Sequence, residues 1–402
     1  MIQNLNFVKE ILKQNNLSFD SLSDSALSDL YSDFINSIML AERRNYLINN
    51  DDYANGFRPK TLQNAAEKIE LNVPRTRTNN FRPAILPEPY QRNLSTYKEL
   101  VYNLIAAGNS LSQIREIIKN MNLSLSEKII EDFKDELINK INDFKNRQLP
   151  KELAVVFIDG KYISVKKDGK VQEAVLYILL GYDMNGKKHI LGFYSFTGKE
   201  TVNQWKKVFN DLLNRGLENV LLFVCDNLSG ITSSIKTLFS NPDIQLCLVH
   251  IKRNIRKNLD AETAGKIISK IDELKLSNLN SEEAAETFRK YIKDFEKQSR
   301  AFIEKLSKDA EFIFAFLGYP QQLHKIISTT NPVESLNNQV EKLSTKYEGY
   351  FQSENMLDIN LYLLKTKWET KWSKNVSPFI AKFSSFFRGK LFLKTEEIEN
   401  IG

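Results

Sequence analysis

The sequence predicts an α/β fold, a mixed sheet with helices on its faces, from three observations. Two short apolar runs, Leu153–Ile158 and Val220–Cys225, each end at an aspartate, Asp159 and Asp226. Runs of that length read as buried strands. Asp168-Gly169 and Asn185-Gly186 sit between apolar or alternating runs, as hairpin turns do. A helical pattern of Trp205, Val208, Phe209, Leu212 and Leu213 then leads through Arg215-Gly216 into the second run. Three antiparallel strands followed by β-α-β give a mixed sheet.

The flanking elements follow in chain order. Residues 1–95 form an N-terminal helical region and a basic arm. Ser23 and Ser25 precede Leu27, Leu30 and Phe34 at helical spacing. Asn55-Gly56, Pro59, Pro74, Pro83 and Pro87 then break regular structure, so residues 51–95 read as extended. Residues 96–148 return to helix: Tyr97–Ala107, a turn at Gly108-Asn109, Ser110 capping Leu111–Met121, and a third segment from Ser124. Helix, glycine turn and helix resemble a helix-turn-helix. The third segment carries Glu127, Glu131, Asp132, Asp135 and Glu136, a poor surface for a phosphate-lined groove, so three-helix packing is the first reading. Residues 149–254 hold the sheet, with a helix over Ser229–Phe239 and a short last strand over Ile244–Val249. Residues 255–325 are helical throughout, with apolar spacing such as Phe288, Tyr291, Ile292 and Phe295. Residues 326–362 carry Glu334, and 363–402 form a basic, aromatic C-terminal region.

Composition narrows the function classes. A chain of 402 residues with 42% apolar and 26% charged residues is an ordinary globular protein of several modules. The net charge of +6 is modest, but it is clustered. Four arginines meet one acid between Arg75 and Arg92, and eight basic residues meet one acid between Leu361 and Lys394. Such clusters favour a polyanionic partner; solvated surface charge is the plain alternative. Two cysteines, Cys225 and Cys247, both in apolar runs, exclude a disulfide framework and fit a reducing compartment. Lys9, Glu10 and Lys13 interrupt any signal-peptide core, and no apolar stretch spans a bilayer. A cytoplasmic protein without membrane contact is expected. Heavy use of Asn, Lys, Ile, Phe and Tyr suggests an A+T-rich, prokaryotic genome.

Candidate chemistry rests on three acids. Asp159 and Asp226, at the ends of adjacent buried strands, need a shared proton or divalent cations to coexist. Taken alone they also fit strand-end turn acids. Glu334 taken alone is a capping acid, with Asn331 as N-cap and Pro332 at the first helical position. Cys247 and His250 lack the second ligand pair that a closed zinc site requires. His250 reads instead as a strand-end group against core or phosphate. Lys252, Arg253, Arg256 and Lys257 follow and make that end of the sheet basic. Trp368, Trp372, Phe379, Phe383, Phe386 and Phe387 interleave with base near the C-terminus and read first as helix packing, then as stacking on DNA.

Motifs in order then identify a resemblance. Val73-Pro74-Arg75-x-Arg77, Pro89-Tyr90-Gln91-Arg92 and Ile158-Asp159-Gly160-x-Tyr162 come first. Trp205, Arg215-Gly216-Leu217, Asp226 with Gly230, and Cys247-x-x-His250-x-x-Arg253-Asn254 follow, and Thr329-Thr330-Asn331-x-x-Glu334-x-x-Asn337 closes the series. Together they resemble the Mutator-type transposases of prokaryotic insertion sequences, over about residues 40–350. The resemblance implies a ribonuclease-H-like core interrupted by an all-helical insertion, with a D-D-E triad of Asp159, Asp226 and Glu334. It implies two Mg²⁺ ions, with Mn²⁺ as a substitute, and Cys247 with His250 as a C-x-x-H pair of the wider superfamily. DNA contacts are expected from Arg75, Arg77, Arg82 and Arg92 in the arm, and from Lys166, Lys167, Lys252, Arg253 and Asn254 near the core. Ser164 and Leu228 depart from the residues relatives often carry there. The implied partners are double-stranded DNA, as element-terminal inverted repeats and target, and a second copy of the chain in the active complex on the nucleoid. The competing expectations are a catalytically silent DNA-binding relative and a nuclease that hydrolyses without joining.

Overall fold

A computed structural model describes residues 24–63, 68–86, 94–121, 125–197, 201–228, 230–346, 349–372 and 377–399. The chain divides into two compact units. One holds residues up to Leu104 and Leu111–Phe133, and the other Ile105–Ser110 and Lys134 onward.

In the first unit, helix α1 (Asp24–Asn49) packs against an antiparallel ribbon of β1 (Ala54–Gln63) and β2 (Lys68–Thr76). The segment expected to be an extended arm is therefore largely a two-stranded sheet. Its alternation is legible only on β2, where Leu71 and Val73 bury against Met39 of α1 with Leu86. The prolines do not break it: Pro74 pairs with Phe57, and Pro59 sits on β1, which pairs only with β2. Proline is tolerated on such an edge because no ladder bond is lost there. Helices α2 (Leu94–Ala106), α3 (Leu111–Asn120) and α4 (Glu127–Asn146) follow close to their expected ranges.

The second unit is built on a five-stranded mixed sheet of order β5-β4-β3-β6-β7. Strands β3 (Glu152–Lys167), β4 (Lys170–Tyr182) and β5 (Lys188–Thr197) form an antiparallel meander. Asp168 and Gly169 both take positive φ at the first hairpin, as a tight two-residue turn requires. Helix α5 (Val202–Asn214) is closed at its start by a Thr201–Gln204 capping box and leads to β6 (Asn219–Cys225), parallel to β3. Its buried Trp205 meets Tyr177 of β4 at 4.7 Å. Helix α6 (Ile231–Leu238) then returns the chain to β7 (Asp243–Leu246), parallel to β6.

Helices α7 (Leu248–Asn258), α8 (Ala261–Lys275), α9 (Ser281–Ile292), α10 (Arg300–Ile313) and α11 (Gln321–Ile327) make every regular element after β7 helical up to Ile327. This bundle is stapled to the sheet by Gln245, a fully buried β7 side chain. Its Nε2 donates to the Ile313 carbonyl (2.9 Å) and its Oε1 accepts the Phe316 N–H (2.8 Å). Helix α12 (Asn331–Lys346) then lies on β3 and β4. Helices α13 (Glu354–Trp372), α14 (Pro378–Lys382) and α15 (Ser384–Glu399) close the chain. Trp368 and Phe387 are buried, so the C-terminal aromatics at these positions are core, whereas Phe379 is exposed. Lys390 and Lys394 of α15 clamp Asp243 of β7 at 2.8 and 2.6 Å. Among the described residues no helix is long and apolar enough to cross a membrane.

Candidate active site

The register of the sheet sets the two aspartates side by side. Ile158 of β3 pairs with Cys225 of β6, so Asp159 and Asp226 come next on neighbouring strands. One expectation is corrected here. Strand β3 does not end at Asp159 but runs on to Lys167, paired with β4 and bridged at Val165 to Phe351, with Asp159 opposite Ile178. The apolar run stops where β6 stops, and polar residues become tolerable once one neighbour is gone. Gly160 has no room for a side chain, since a Cβ would come 2.6 Å from the Tyr177 ring.

The other site residues arrive on helices. Cys247 is the N-cap of α7, and His250 lies in that helix's first turn. The expected strand over Ile244–Val249 ends at Leu246, so His250 is a helix residue, not a strand-end one. After the helical bundle the chain re-docks on this corner. Leu248 N–H bonds the Ser328 carbonyl (3.0 Å), and both the N–H and the hydroxyl of Thr330 bond Cys247 Sγ (3.4 Å each). These contacts fix the start of α12 and with it Glu334. The cap is also corrected: Val333 and Glu334 N–H groups both reach the Thr330 carbonyl, so Thr330 rather than Asn331 precedes the helix. Glu334 is then one residue too far along for the capping box.

Asp159 is the electrostatic centre. Only 5% of it is exposed, and Asn337 Nδ2 donates to its Oδ2 at 2.6 Å. Burial pushes its carboxyl up to about 6; His250 and the Asn337 bond oppose the shift, and Glu334 and Asp226 add to it. The three acids therefore share one electrostatic neighbourhood. Asp226 is held by its own loop, with Asn227 N–H on its Oδ1 at 2.6 Å, and His250 Nδ1 lies 3.9 Å from the same oxygen. Hydrogen bonding with Cys247 outweighs burial and, with Asp226, raises His250 to about 9. Burial alone would raise the Cys247 thiol, but His250 and Thr330 bring it below its ordinary value. At neutral pH His250 is thus an imidazolium among carboxylates. Among the described residues, no three His, Cys, Asp or Glu side chains close around one point as a ready metal cage.

The expected DNA contacts separate into engaged and free groups. Lys167 pairs with Glu354 (3.0 Å) and Lys252 with Asp272. Asn254 is half-buried, and its carbonyl accepts from Asn258. Lys166, Arg253 and Arg75 are exposed. Arg77 stacks over Tyr53 at 5.6 Å, and Arg82 reaches the Leu86 carbonyl at 3.4 Å. Arg92 lies outside the described residues. The sequence assigns no role to two contributors, Asn337 of the closing motif and Asp309. Asn337 follows Glu334 by three positions on one helix, a spacing that places both on one face and could have flagged it. Asp309 of α10 accepts from the Asn227 side chain, and no local pattern announces that contact.

The sequence as a whole is similar to several known transposases. The chain is 27% identical over 329 residues to the transposase for insertion sequence element IS905 of Lactococcus lactis, covering 82% of this chain and 83% of that protein. It is 26% identical over 349 residues to the IS1201 transposase of Lactobacillus helveticus, covering 84% and 93%. With the IS256 transposase in transposon Tn4001 of Staphylococcus aureus it shares 25% over 363 residues, covering 87% and 92%. The family profile described as "Transposase, Mutator family" matches residues 2–375, and the chain belongs to that family.

Proposed function

We propose that Asp159, Asp226 and Glu334 form the centre at which this transposase cuts and joins DNA, and that they hold Mg²⁺. The observation that carries the reading is Asp159: a nearly buried carboxyl, held by Asn337, with two further acids raising its proton affinity. Such a cluster is short of positive charge, and an all-oxygen donor set suits a hard divalent cation. When bound, a pair of Mg²⁺ ions supplies Lewis acidity and charge for in-line displacement at a phosphodiester. The chain's own residues do the positioning. Asn337 orients Asp159, the Asn227 N–H orients Asp226, and Thr330 anchors the helix that presents Glu334.

A ribonuclease-H-like core is part of the same proposal, supported by an antiparallel meander continued by two parallel strands. The substrates are duplex element ends and a target duplex, handled by a pair of chains.

The test uses Asp159→Asn, Asp226→Asn and Glu334→Gln in full-length protein, with a duplex carrying the inverted repeats that flank the gene. Strand transfer in Mg²⁺ or Mn²⁺ should be lost while end binding persists, because backbone contacts elsewhere position the DNA. Calorimetric titration of the protein alone with Mn²⁺ should lose its binding heat in parallel. Near-normal strand transfer by any of the three removes that residue from the centre.

A further inference from the structure

A half-buried carboxylate of the helical bundle stands beside the loop that carries Asp226, outside the three acids already described. It is Asp309, near the end of α10. Asn227, 82 residues earlier and next to Asp226, donates its Nδ2 to the Asp309 Oδ2. Among the described residues no ion pair holds Asp309. Burial raises its carboxyl above the ordinary range, against the Asn227 bond and Lys305, one turn back on the same helix. Burying a charge without a paired cation costs stability, so packing alone does not account for a carboxylate here.

The end of α10 meets the β6–α6–β7 unit through Asp309, Glu311 and Ile313. The Ile313 carbonyl accepts from buried Gln245 and belongs to the core. Glu311 pairs with Lys236 of α6 at 3.3 Å, but both side chains are more than half exposed, so this contact contributes little. Asp309 is the one of the three that reaches the site. There Asp226 differs from Asp159, which takes an amide from a distant helix. The Asp226 carboxylate accepts the N–H of the very next residue at 2.6 Å, so its direction follows the backbone of Asn227. Leu228 N–H returns to the Asp226 carbonyl at 2.9 Å and keeps the loop compact. Among the described residues, the one side-chain hydrogen bond tying Asp226–Leu228 to another element is the bond that Asp309 accepts.

We infer that Asp309 is a positioning residue: by anchoring the Asn227 side chain it fixes the N–H that orients Asp226, and so the helical bundle sets the metal affinity of the cutting centre. This rests on the reading of Asp226 as a metal-holding acid and adds a residue from a different part of the chain.

The test is calorimetric titration of full-length protein with Mn²⁺, together with amide hydrogen exchange over residues 226–230 in chelator. Asp309→Ala should weaken Mn²⁺ binding about tenfold, the lower end of what outer partners of metal ligands contribute. In the metal-free protein the same variant should speed exchange over 226–230 about fivefold, as loss of one hydrogen bond does. Asp309→Asn keeps an acceptor oxygen for Asn227 and should stay within about threefold of wild type in both. Asn227→Ala combined with Asp309→Ala should be no weaker than the weaker single variant, because both remove one bond. Glu311→Ala loosens the same helix end away from the site and should leave Mn²⁺ affinity unchanged. Were Asp309→Ala to unfold, Asn227→Ala removes the same bond from the donor side and carries the same expectations. Wild-type affinity and exchange in Asp309→Ala, additive losses in the double variant, or an equal loss in Glu311→Ala would each overturn the positioning role. If Asp226→Asn still abolishes Mn²⁺ binding in that case, the reading of the three acids stands. A wild-type protein that binds no Mn²⁺ overturns both.

Discussion

Replacing Asp159 by Asn should make the metal-free protein more stable and inactive at once. In the fold the carboxyl titrates near 6 instead of 3.8, mainly because burial disfavours its charge. At one unit per ~1.4 kcal/mol, holding that charge at pH 7 costs about 3 kcal/mol at most. The amide is nearly isosteric and can still accept from Asn337, so the penalty is removed without opening a cavity. The sign follows from linkage. A carboxyl whose pKa is raised by folding costs nothing below its unfolded value, costs progressively more as pH rises to about 6, and costs a constant amount above it. Asp159→Asn should therefore unfold roughly 6–12 °C above wild type at pH 7 in chelator, at about 2–4 °C per kcal/mol for a unit of this size. The gap should close below about pH 4. Mg²⁺ should raise the wild type and leave the variant unmoved. Thermal unfolding by fluorescence, at several pH values with and without metal, reads all of this. A variant that is less stable than wild type at pH 7, or a gap independent of pH, would refute the account of Asp159 as a strained, cation-deficient carboxylate.

Three further outcomes are expected. Asn337→Ala removes a charge-assisted bond that favours the ionised form of Asp159, so the acid limb of the strand-transfer pH profile should move up by about one unit. Gln245→Leu strands the Phe316 N–H and the Ile313 carbonyl in the core and should cost about 2–4 kcal/mol, read by denaturant unfolding. Asp243→Asn weakens the clamp of Lys390, Lys394 and Tyr319 and should cost about 1–3 kcal/mol at pH 7. Burial would raise the Asp243 carboxyl, but the two lysines hold it below its ordinary value. Its contribution is thus present above about pH 4 and fades as acid titrates it, so the variant's deficit should shrink at low pH.

Elements that answer to one local cause were legible in the sequence. The buried strands β3 and β6 announce themselves by apolar run length, and the β3–β4 hairpin by two residues able to take positive φ. What escaped depends on partners far along the chain. The end of the apolar run suggests the end of β3, but it marks the loss of the β6 neighbour. The β1–β2 ribbon shows almost no alternation because only β2 has a buried face, and its prolines read as breakers when one sits on a free edge. The sequence suggests a strand up to His250 because Leu246, Cys247 and Leu248 continue the apolar run through a cap that uses no side-chain hydrogen bond. At the site, the acids stand out by residue type and order. The amide that holds Asp159 sits 178 residues from it; its spacing from Glu334 marks it, but nothing local names Asp159 as its partner.

That separation bears on how the protein matures as it leaves the ribosome. Asp159 and Asp226 emerge early, on strands that can pair as soon as they exist. Their sheet is not sealed until Ile313 and Phe316 arrive to satisfy Gln245, and Asp159 has no amide donor until Asn337 is made. A chain cut short anywhere in the helical bundle therefore carries two acids on the central strands of its sheet, without the third acid or its anchoring helix. Such a truncated chain leaves Gln245 and Asp159 without the partners that the complete fold gives them.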